Sequence, residues 1–336
     1  MLRYVAQRLA LTAVMAVLAT LVIFLIANTV PGDPILAQLG DVAASNKAFV
    51  AEWRAKWGLD LPLWERYLVF LKGILHGDLG ISIASQRPVL EDIGQYAPAT
   101  VELATVGFLI SIAVGVPLGI LAAIRRDSFV DHLARVVSLI GVSSPTFWLA
   151  FIMLALFYGG LQIAPGPGRL DPIAFAPPTV TGLFLVDSLI AGDFATLRDA
   201  AAHLVLPSLV LAAATLGLIT RTTRASMLDN LHQDYVRVAR AKGLREVKIV
   251  NGHVLPNALI PIVTLGGLAY ANLLTGAVMT ETVFSWPGLG RYTFRSAEAL
   301  DFPAIMGITL VVALTYLVIN LLIDLSYALL DPRVAR

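Results

Sequence analysis

The sequence of 336 residues has no cysteine, and only 14% of its residues are charged. Without cysteine, disulfides, thiolate nucleophiles and cysteine-ligated metal sites are excluded. A soluble domain usually has about 25% charged residues, so this shortage argues against an ordinary soluble enzyme. The net charge of +1 offers no general electrostatic basis for binding nucleic acid. With 57% hydrophobic residues and a mean hydropathy of +0.79, the composition instead predicts an integral membrane protein.

The usual motifs for catalysis are also missing. No G-x-x-x-x-G-K-[ST] occurs, so the chain has no phosphate-binding loop, and we expect it to bind no cofactor and to hydrolyse no ATP itself. H-E-x-x-H and G-x-S-x-G are absent, and the five histidines lack ligand spacing, so we predict no catalytic residue and no metal site. The absence of charge inside the apolar stretches weighs against a secondary transporter and an intramembrane enzyme.

Six stretches are long and apolar enough to cross a membrane, because roughly 20 helical residues span a hydrocarbon core of about 30 Å. The first follows Arg3 and Arg8 and is longer than the apolar region of a secretory signal, so we interpret it as a retained span. Glu102, Glu281 and Asp324 lie near span ends. The predicted spans are residues 9–30, 103–124, 136 to the glycine and proline cluster at 159–168, 200–220, 254–280 and 302–323.

The distribution of Lys and Arg predicts the orientation of these spans. Fourteen lie in the segments that face one side, whereas the two short loops on the other side hold four. Because short cytoplasmic loops are enriched in Lys and Arg, both termini are predicted to be cytoplasmic. The chain then divides into a tail and first span (1–30), an external, periplasmic cap (31–98) and a core of five spans (99–336). Charges and aromatics at helical spacing over 47–57 predict a helix in the cap, the alternative being a solvated surface loop.

The longest predicted cytoplasmic segment is residues 221–253, which carries a local charge of +4. Met227, Leu231, Tyr235 and Val238 recur at helix spacing, and Gly243 then interrupts the pattern. The segment is therefore predicted to form a helix, a glycine turn and a second helix. One interpretation is an amphipathic hairpin on anionic lipid, and another is a rigid unit that receives force from a cytoplasmic partner.

Within this segment, the run from Tyr235 to Gly243, followed by Leu255-Pro256, resembles the E-A-A loop of ABC importer permeases. Ala239, Gly243, Leu255 and Pro256 match the pattern, while Arg237 stands where the family has Glu. Together with further motifs in order along the chain, the sequence resembles the B-type permease subunit of bacterial dipeptide and oligopeptide importers, and 181–207 is similar to the dipeptide branch. Those motifs are Pro31-Gly32-Asp33-Pro34, residues 76–80, residues 281–290 and Asp331-Pro332-Arg333.

The resemblance implies an all-α integral membrane protein of six spans with the type I permease fold, located in the bacterial inner membrane. It implies a homologous C-type permease, two ATPase subunits that bind ATP and Mg, a periplasmic binding protein, a peptide substrate and membrane lipid as partners, and no nucleic acid. The chain would supply geometry rather than bond chemistry. Permeases of the same family for nickel or glutathione are the alternative, and a scaffold or sensor without transport is another.

The site residues follow from the same resemblance. We expect the ATPase-coupling loop to comprise Asp234, Tyr235, Arg237, Ala239, Arg240, Lys242, Gly243, Leu255 and Pro256. Polar residues in the fourth and fifth spans are candidates to line the pathway, the alternative being interhelical hydrogen bonds. They are Thr215, Asn257, Thr264, Asn272 and Thr275. Outside the loop, Trp286-Pro287-Gly288 is interpreted as an interfacial aromatic anchor followed by a turn.

Overall fold

The structure, a computed structural model, describes residues 2–29 and 61–330, which are almost entirely helical. Within these ranges the only β-pairing is an isolated bridge between Ile81 and Pro88. In chain order the helices are α1 (Leu2–Thr29), α2 (Leu63–Leu75), α3 (Val89–Ile124), α4 (Phe129–Ser143), α5 (Thr146–Met153, extended by the π-helical turn Leu154–Gly160), α6 (Phe184–Ala191), α7 (Phe194–Leu231), α8 (Asp234–Ala241), α9 (Glu246–Ile249, extended by the π-helical turn Val250–Val254), α10 (Leu255–Gly276), α11 (Val278–Val283), α12 (Leu289–Glu298) and α13 (Phe302–Leu330).

Five helical segments in the described ranges are long and apolar enough to cross a membrane, and six if the bent pair α4 and α5 counts as one span. The predicted third span, from residue 136 into the glycine and proline cluster, corresponds to this pair, which bends by 104° between its two helices. Ser144 is extended (ψ 126°) before Pro145, which disfavours a helical conformation in the preceding residue and lacks the N–H needed to continue the helix.

Other spans continue beyond their predicted ends. The second begins at Val89 rather than at 103, and the fourth continues to Leu231 rather than ending at 220. Asp193 caps α7 by accepting the backbone N–H groups of Ala195 (3.1 Å) and Thr196 (3.0 Å). With 38 residues, α7 is about 57 Å long. It is therefore far longer than a membrane is thick. Its end was not predicted because hydropathy marks the apolar part of a helix and not its hydrogen-bonded length.

Helix α7 is the central element, and α3 and α4 pack closely against it. Three glycines of α3 face successive residues of α7: Gly107 faces Leu211, Gly115 faces Ile219 and Gly119 faces Thr223. Because both numbers rise together, the two helices run parallel. A Cβ at Gly119 would lie 2.6 Å from the Cβ of Thr223, so only glycine permits this approach. Helix α4 packs on α7 in the antiparallel sense through Gly141, whose position leaves no room for a Cβ beside the Ala213 carbonyl.

The remaining long helices surround this centre. Helices α10 and α13 are antiparallel, and Thr264 and Tyr327 share a hydrogen bond of 2.7 Å between their hydroxyls. The start of α1 is tied to the last turns of α13 by an ion pair of 3.1 Å between Arg8 and Asp324. The start of α1 and the end of α13 therefore lie on one side of the bundle, the side where α10 begins.

The cap is described only in part. Its helix predicted at 47–57 lies outside the described residues, as do Pro31-Gly32-Asp33-Pro34 and Asp331-Pro332-Arg333. In the described part, α2 packs against α1, where the hydroxyls of Tyr67 and Thr20 are 2.9 Å apart and the rings of Phe24 and Tyr67 meet edge to face at 5.5 Å.

Candidate functional site: the hairpin between α7 and α10

Residues Asp234 to Ile249 form a compact helical hairpin, the α8–α9 hairpin. The predicted sequence of helix, glycine turn and helix is confirmed: Gly243 has φ +74°, a left-handed conformation, and its N–H donates to the Arg240 carbonyl at 2.9 Å. The apolar stripe from Met227 to Val238 is not one helix, however, because α7 ends at Leu231 and α8 begins only at Asp234.

The inner face of the hairpin is apolar and buried. Val236 is 0% exposed and Ala239 is 7% exposed, and both pack in one cluster with Ile249 of α9. Ala123 at the end of α3 and Met227 near the end of α7 belong to the same cluster, which continues into α10. The hairpin therefore packs directly against the ends of three long helices.

Two ion pairs fix the shape of the hairpin. The Arg240 guanidinium donates to both carboxylate oxygens of Glu246, at 2.7 and 3.3 Å, and so bridges the glycine turn. This hydrogen bond lowers the pKa of Glu246 and raises the pKa of Arg240. Arg237 pairs with Asp234 along α8. All four side chains are largely exposed, so the pairs add little to the free energy of unfolding, and the pair of Arg240 and Glu246 mainly orients the turn.

The outer face presents apolar side chains among basic ones. Val238 is 53% exposed and Val247 is 72% exposed. The Tyr235 hydroxyl donates to Asn230 at 3.1 Å, which holds its ring beside the end of α7. An exposed apolar patch with a charged rim is typical of a protein-binding surface. The rim consists of Arg237, Lys242, Arg245 and Lys248.

The structure brings the predicted coupling residues into this one unit. Ala239 lies on the inner face, Gly243 forms the turn, and Leu255 and Pro256 begin α10 directly after it. Leu255 packs against the inner cluster, whereas Pro256 is exposed. The others lie exposed on the outer surface, namely Asp234, Tyr235, Arg237, Arg240 and Lys242.

The five predicted pathway residues lie on α7 and α10 in different surroundings. Thr264 bonds to its own helix and to Tyr327, and Thr215 is only 7% exposed within the bundle. The Thr275 hydroxyl donates to the Asn272 carbonyl at 3.3 Å, and the Asn257 amide donates to the His253 carbonyl at 2.7 Å. Only Asn257 and Asn272 are exposed, so these two could face a second subunit. Their role in a pathway stays a prediction.

Sequence reasoning missed a buried ion pair at the opposite end of the bundle. Glu102, predicted to lie at a span end, is inside α3 and pairs with Arg169 at 2.5 Å; both side chains are less than a tenth exposed. Arg169 also donates to the Gly182 carbonyl at 3.1 Å and stacks on the Phe184 ring at 3.5 Å. No sequence signal could pair two residues that are 67 positions apart.

The interpretation of Trp286 as an interfacial anchor is wrong. Its side chain is 1% exposed, and its indole N–H donates to the Ala99 carbonyl at 2.9 Å. The neighbouring Glu281 carboxylate accepts the Thr100 hydroxyl (2.6 Å) and the Arg291 backbone N–H (2.9 Å), so it caps the start of α12. Burial raises the pKa of Glu281, while these hydrogen bonds oppose the rise. The Trp-Pro-Gly motif therefore builds a buried turn against α3.

Within the described residues, no three side chains of His, Asp or Glu come together as a metal site.

Comparison with known proteins identifies the class of molecule. Residues 115–336 match the family described as binding-protein-dependent transport system inner membrane component, and residues 1–104 match the N-terminal domain of such components. The fold is similar to that of a chain of the MetNI methionine ABC transporter in an inward-facing conformation, with a TM-score of 0.52 at 16% identity, covering 71% of this chain and 96% of that one.

Among curated proteins, the probable D,D-dipeptide transport system permease protein DdpB of Escherichia coli K12 is 47% identical over 93% of this chain and 92% of its own length. The dipeptide transport system permease protein DppB of the same strain is 40% identical over 99% of each chain. The di/tripeptide transport system permease protein DppB of Pseudomonas aeruginosa is 38% identical over the same share. The chain belongs to the family of inner-membrane permease components of binding-protein-dependent transport systems.

Proposed function

We propose that this chain is the permease subunit of an ATP-driven importer of dipeptides, that it forms half of the pathway through the membrane, and that the α8–α9 hairpin is its contact with the ATPase subunits. Relatives named as dipeptide permeases match it over nearly the full length. Its partners are a homologous permease, two ATPase subunits that hold ATP and Mg, and a binding protein that delivers the peptide on the periplasmic side. Both termini and the hairpin face the cytoplasm.

The two faces of the hairpin carry this proposal. The outer face, with Val238 and its basic rim, is available to a partner, while the inner face is buried against α3, α7 and α10. When the ATPase subunits move, the hairpin moves with them, and its packing transfers the displacement to those three helices. The helices then tilt and change access to the pathway from outside to inside.

The rival interpretation, a hairpin lying on anionic lipid, fits the position of the hairpin less well. Helix α7 continues 11 residues beyond its predicted span end at 220, which is about 16 Å of helix. The attraction of basic residues to a lipid surface falls off within about 10 Å. A hairpin at the tip of this extension is better placed to reach a protein partner.

The test is Val238→Asp. The side chain is 53% exposed, so the chain should still fold and insert, while the charge disrupts an apolar contact with the ATPase subunits. Hydrolysis of ATP stimulated by the peptide-loaded binding protein should fall to the unstimulated rate, and fewer ATPase subunits should copurify. Ile173→Asp is the matched control, because Ile173 is 88% exposed at the other end of the molecule. Normal stimulation in Val238→Asp would contradict the proposed contact.

The substrate is tested by uptake into vesicles that contain the whole complex and its binding protein. Labelled alanyl-alanine should accumulate only with ATP inside, and nickel or glutathione should not replace it. Collapse of uptake by an uncoupler at constant ATP would instead indicate an ion-coupled transporter. We expect selectivity to reside mainly in the binding protein, so exchanging binding proteins between transporters should exchange the transported peptides.

A further inference from the structure

A cluster of charged side chains joins α4 to α7 outside the hairpin. The Asp131 side chain is 0% exposed, and it accepts two hydrogen bonds from the Arg224 guanidinium, from Nε at 2.6 Å and from Nη2 at 2.8 Å. Arg135 donates a third at 2.9 Å, and the Asp127 backbone N–H donates a fourth at 3.0 Å. Burying a carboxylate costs free energy even when it is paired. Removing its partner while it stays buried strongly destabilises the fold.

The pocket beside this cluster does not indicate an anion site. It has a volume of ≈ 660 Å³ and is lined by Arg126, Arg135 and Arg224, but also by Asp127 and Asp229. The three arginines already face carboxylates, because Arg126 and Arg135 pair with Asp127 at 3.4 and 3.6 Å and Arg224 with Asp131. Since these charges balance, the cluster joins helices rather than binding a ligand.

The described glycine contacts between α4 and α7 bring the helices close together. Ser138 and the Val142 side chain lie beside Gly217, and Gly141 lies beside the Ala213 carbonyl. These close contacts are made by small and apolar groups, so they contribute shape but no charge to the interface. Among the described residues, Arg224 and Asp131 form the only ion pair that joins the two helices. This pair is therefore the charged contact that favours one register of the two helices.

The position of the pair connects it to the hairpin. Arg224 lies seven residues before the end of α7, and α8 begins three residues after that end. On the other side, Asp131 lies in the first turn of α4, the first half of the bent pair α4 and α5. A movement of the hairpin thus reaches α7 directly. It reaches the start of α4 through the pair of Arg224 and Asp131, beside the packing of the bent pair on α3 and α7.

We propose that Asp131 is a positioning residue for transport: it clamps α4 to α7, so that α4 and α5 move as one body with α7 when the hairpin moves. This inference rests on the function proposed above. Without the clamp, movement of the hairpin still reaches α7, but the start of α4 follows it less closely, and ATP is hydrolysed with a smaller change in the pathway.

The first experiment measures the number of peptides imported per ATP hydrolysed by the complete complex in vesicles. Asp131→Asn should lower this ratio about tenfold, while hydrolysis stimulated by the binding protein persists. The matched control is Asp127→Asn. Asp127 is a carboxylate of the same cluster but is 69% exposed, so this variant should keep the wild-type ratio. A merely structural role would lower uptake and hydrolysis together and leave the ratio unchanged, and that result would overturn the proposal.

A second experiment uses the absence of cysteine from the chain. In the double variant Asp131→Cys and Arg224→Cys, the ratio should fall as in Asp131→Asn, and joining the two thiols with a short bifunctional reagent should restore it. If crosslinking instead stops transport, α4 and α7 must separate during the cycle, and the clamp is refuted. If the wild-type complex neither imports peptide nor stimulates hydrolysis, the proposed function itself fails, which is a different result.

Discussion

At the scale of single residues, glycines decide both the hairpin turn and the helix packing. Gly243 has a left-handed φ of +74°, yet a Cβ built on it would meet nothing within 4 Å. Its requirement is therefore conformational and not steric. Gly119 is the opposite case, because its backbone conformation is that of an ordinary helix and the space for a Cβ is occupied by Thr223. The two positions should respond differently to substitution.

At Gly243, a β-branched residue should be tolerated poorly and asparagine well. Gly243→Val forces a left-handed conformation that costs an L-residue about 1–2 kcal/mol, so the turn should open and the hairpin should lose its shape. Stimulated ATP hydrolysis of the complex should fall, with membrane insertion unchanged. Gly243→Asn is the control, since asparagine adopts this conformation readily. Equal hydrolysis in the two variants would mean that the turn is not required for coupling.

At Gly119, even one methyl group should separate α3 from α7. Gly119→Ala places a Cβ 2.6 Å from that of Thr223, and such overpacking typically costs about 1–3 kcal/mol. The melting temperature of the purified chain should fall. Gly94→Ala is the control in the same helix: its Cβ meets nothing within 4 Å, so alanine should leave the melting temperature unchanged or raise it through helix propensity. A fall in Gly94→Ala of the same size would disprove the packing argument.

At the scale of elements, the loop before α6 is organised by one carboxylate. Asp187 accepts the backbone N–H groups of Val180 (3.3 Å), Thr181 (2.8 Å) and Gly182 (2.9 Å) and the Thr181 hydroxyl (2.7 Å). Burial raises the pKa of Asp187, but these hydrogen bonds outweigh it, so the pKa is lowered. This loop stands at the end of the bundle opposite the hairpin, next to the buried pair of Glu102 and Arg169.

The lowered pKa predicts an acid-sensitive contribution to stability. Because the carboxylate has a lower pKa in the folded chain than in the unfolded one, its contribution is present above the unfolded value of about 3.9 and is lost as the pH falls through the folded value. Between neutral pH and about pH 4, Asp187→Asn should melt below wild type, and the difference should shrink in more acidic buffer. A difference that is independent of pH would refute this account.

The bounds of the helices show which elements the sequence could predict. The apolar cores of the long spans were predicted correctly, because about 20 uncharged residues have few alternatives to crossing a membrane. The ends of the spans were not predicted correctly. Helix α7, for example, continues with polar residues to Leu231 and is held there by hydrogen bonds that hydropathy does not measure. The third span was predicted as one stretch because the apolar residues continue on both sides of Pro145, whereas the structure bends there by 104°.

At the scale of the whole molecule, the distribution of charge separates the two ends. The hairpin end carries the basic rim of Arg237, Lys242, Arg245 and Lys248, whereas at the opposite end Glu102 is paired with Arg169 and Glu281 is buried. The start of α1 and the last turns of α13 lie on the hairpin side. Because basic loops stay in the cytoplasm, this end should face inward.

The orientation can be tested because the chain has no cysteine, so one introduced thiol gives one signal. Val247→Cys (72% exposed, on the hairpin) and Ile173→Cys (88% exposed, at the other end) are compared in spheroplasts with a membrane-impermeant thiol reagent. The thiol of Ile173→Cys should be labelled from outside. The thiol of Val247→Cys should be labelled only after the membrane is permeabilised, and its labelling in intact cells would contradict the predicted orientation.

The sequence by itself determined the membrane class, the long apolar helices, the glycine turn of the hairpin and the resemblance to importer permeases. These properties depend on composition, periodicity and local conformation, which neighbouring residues carry within a short stretch of chain. Only the tertiary structure decided that Glu102 pairs with Arg169, that Trp286 is buried against α3, and that Asp131 holds α4 to α7. Such contacts join residues far apart in the chain, and their energy depends on how closely the helices approach, which no local pattern contains.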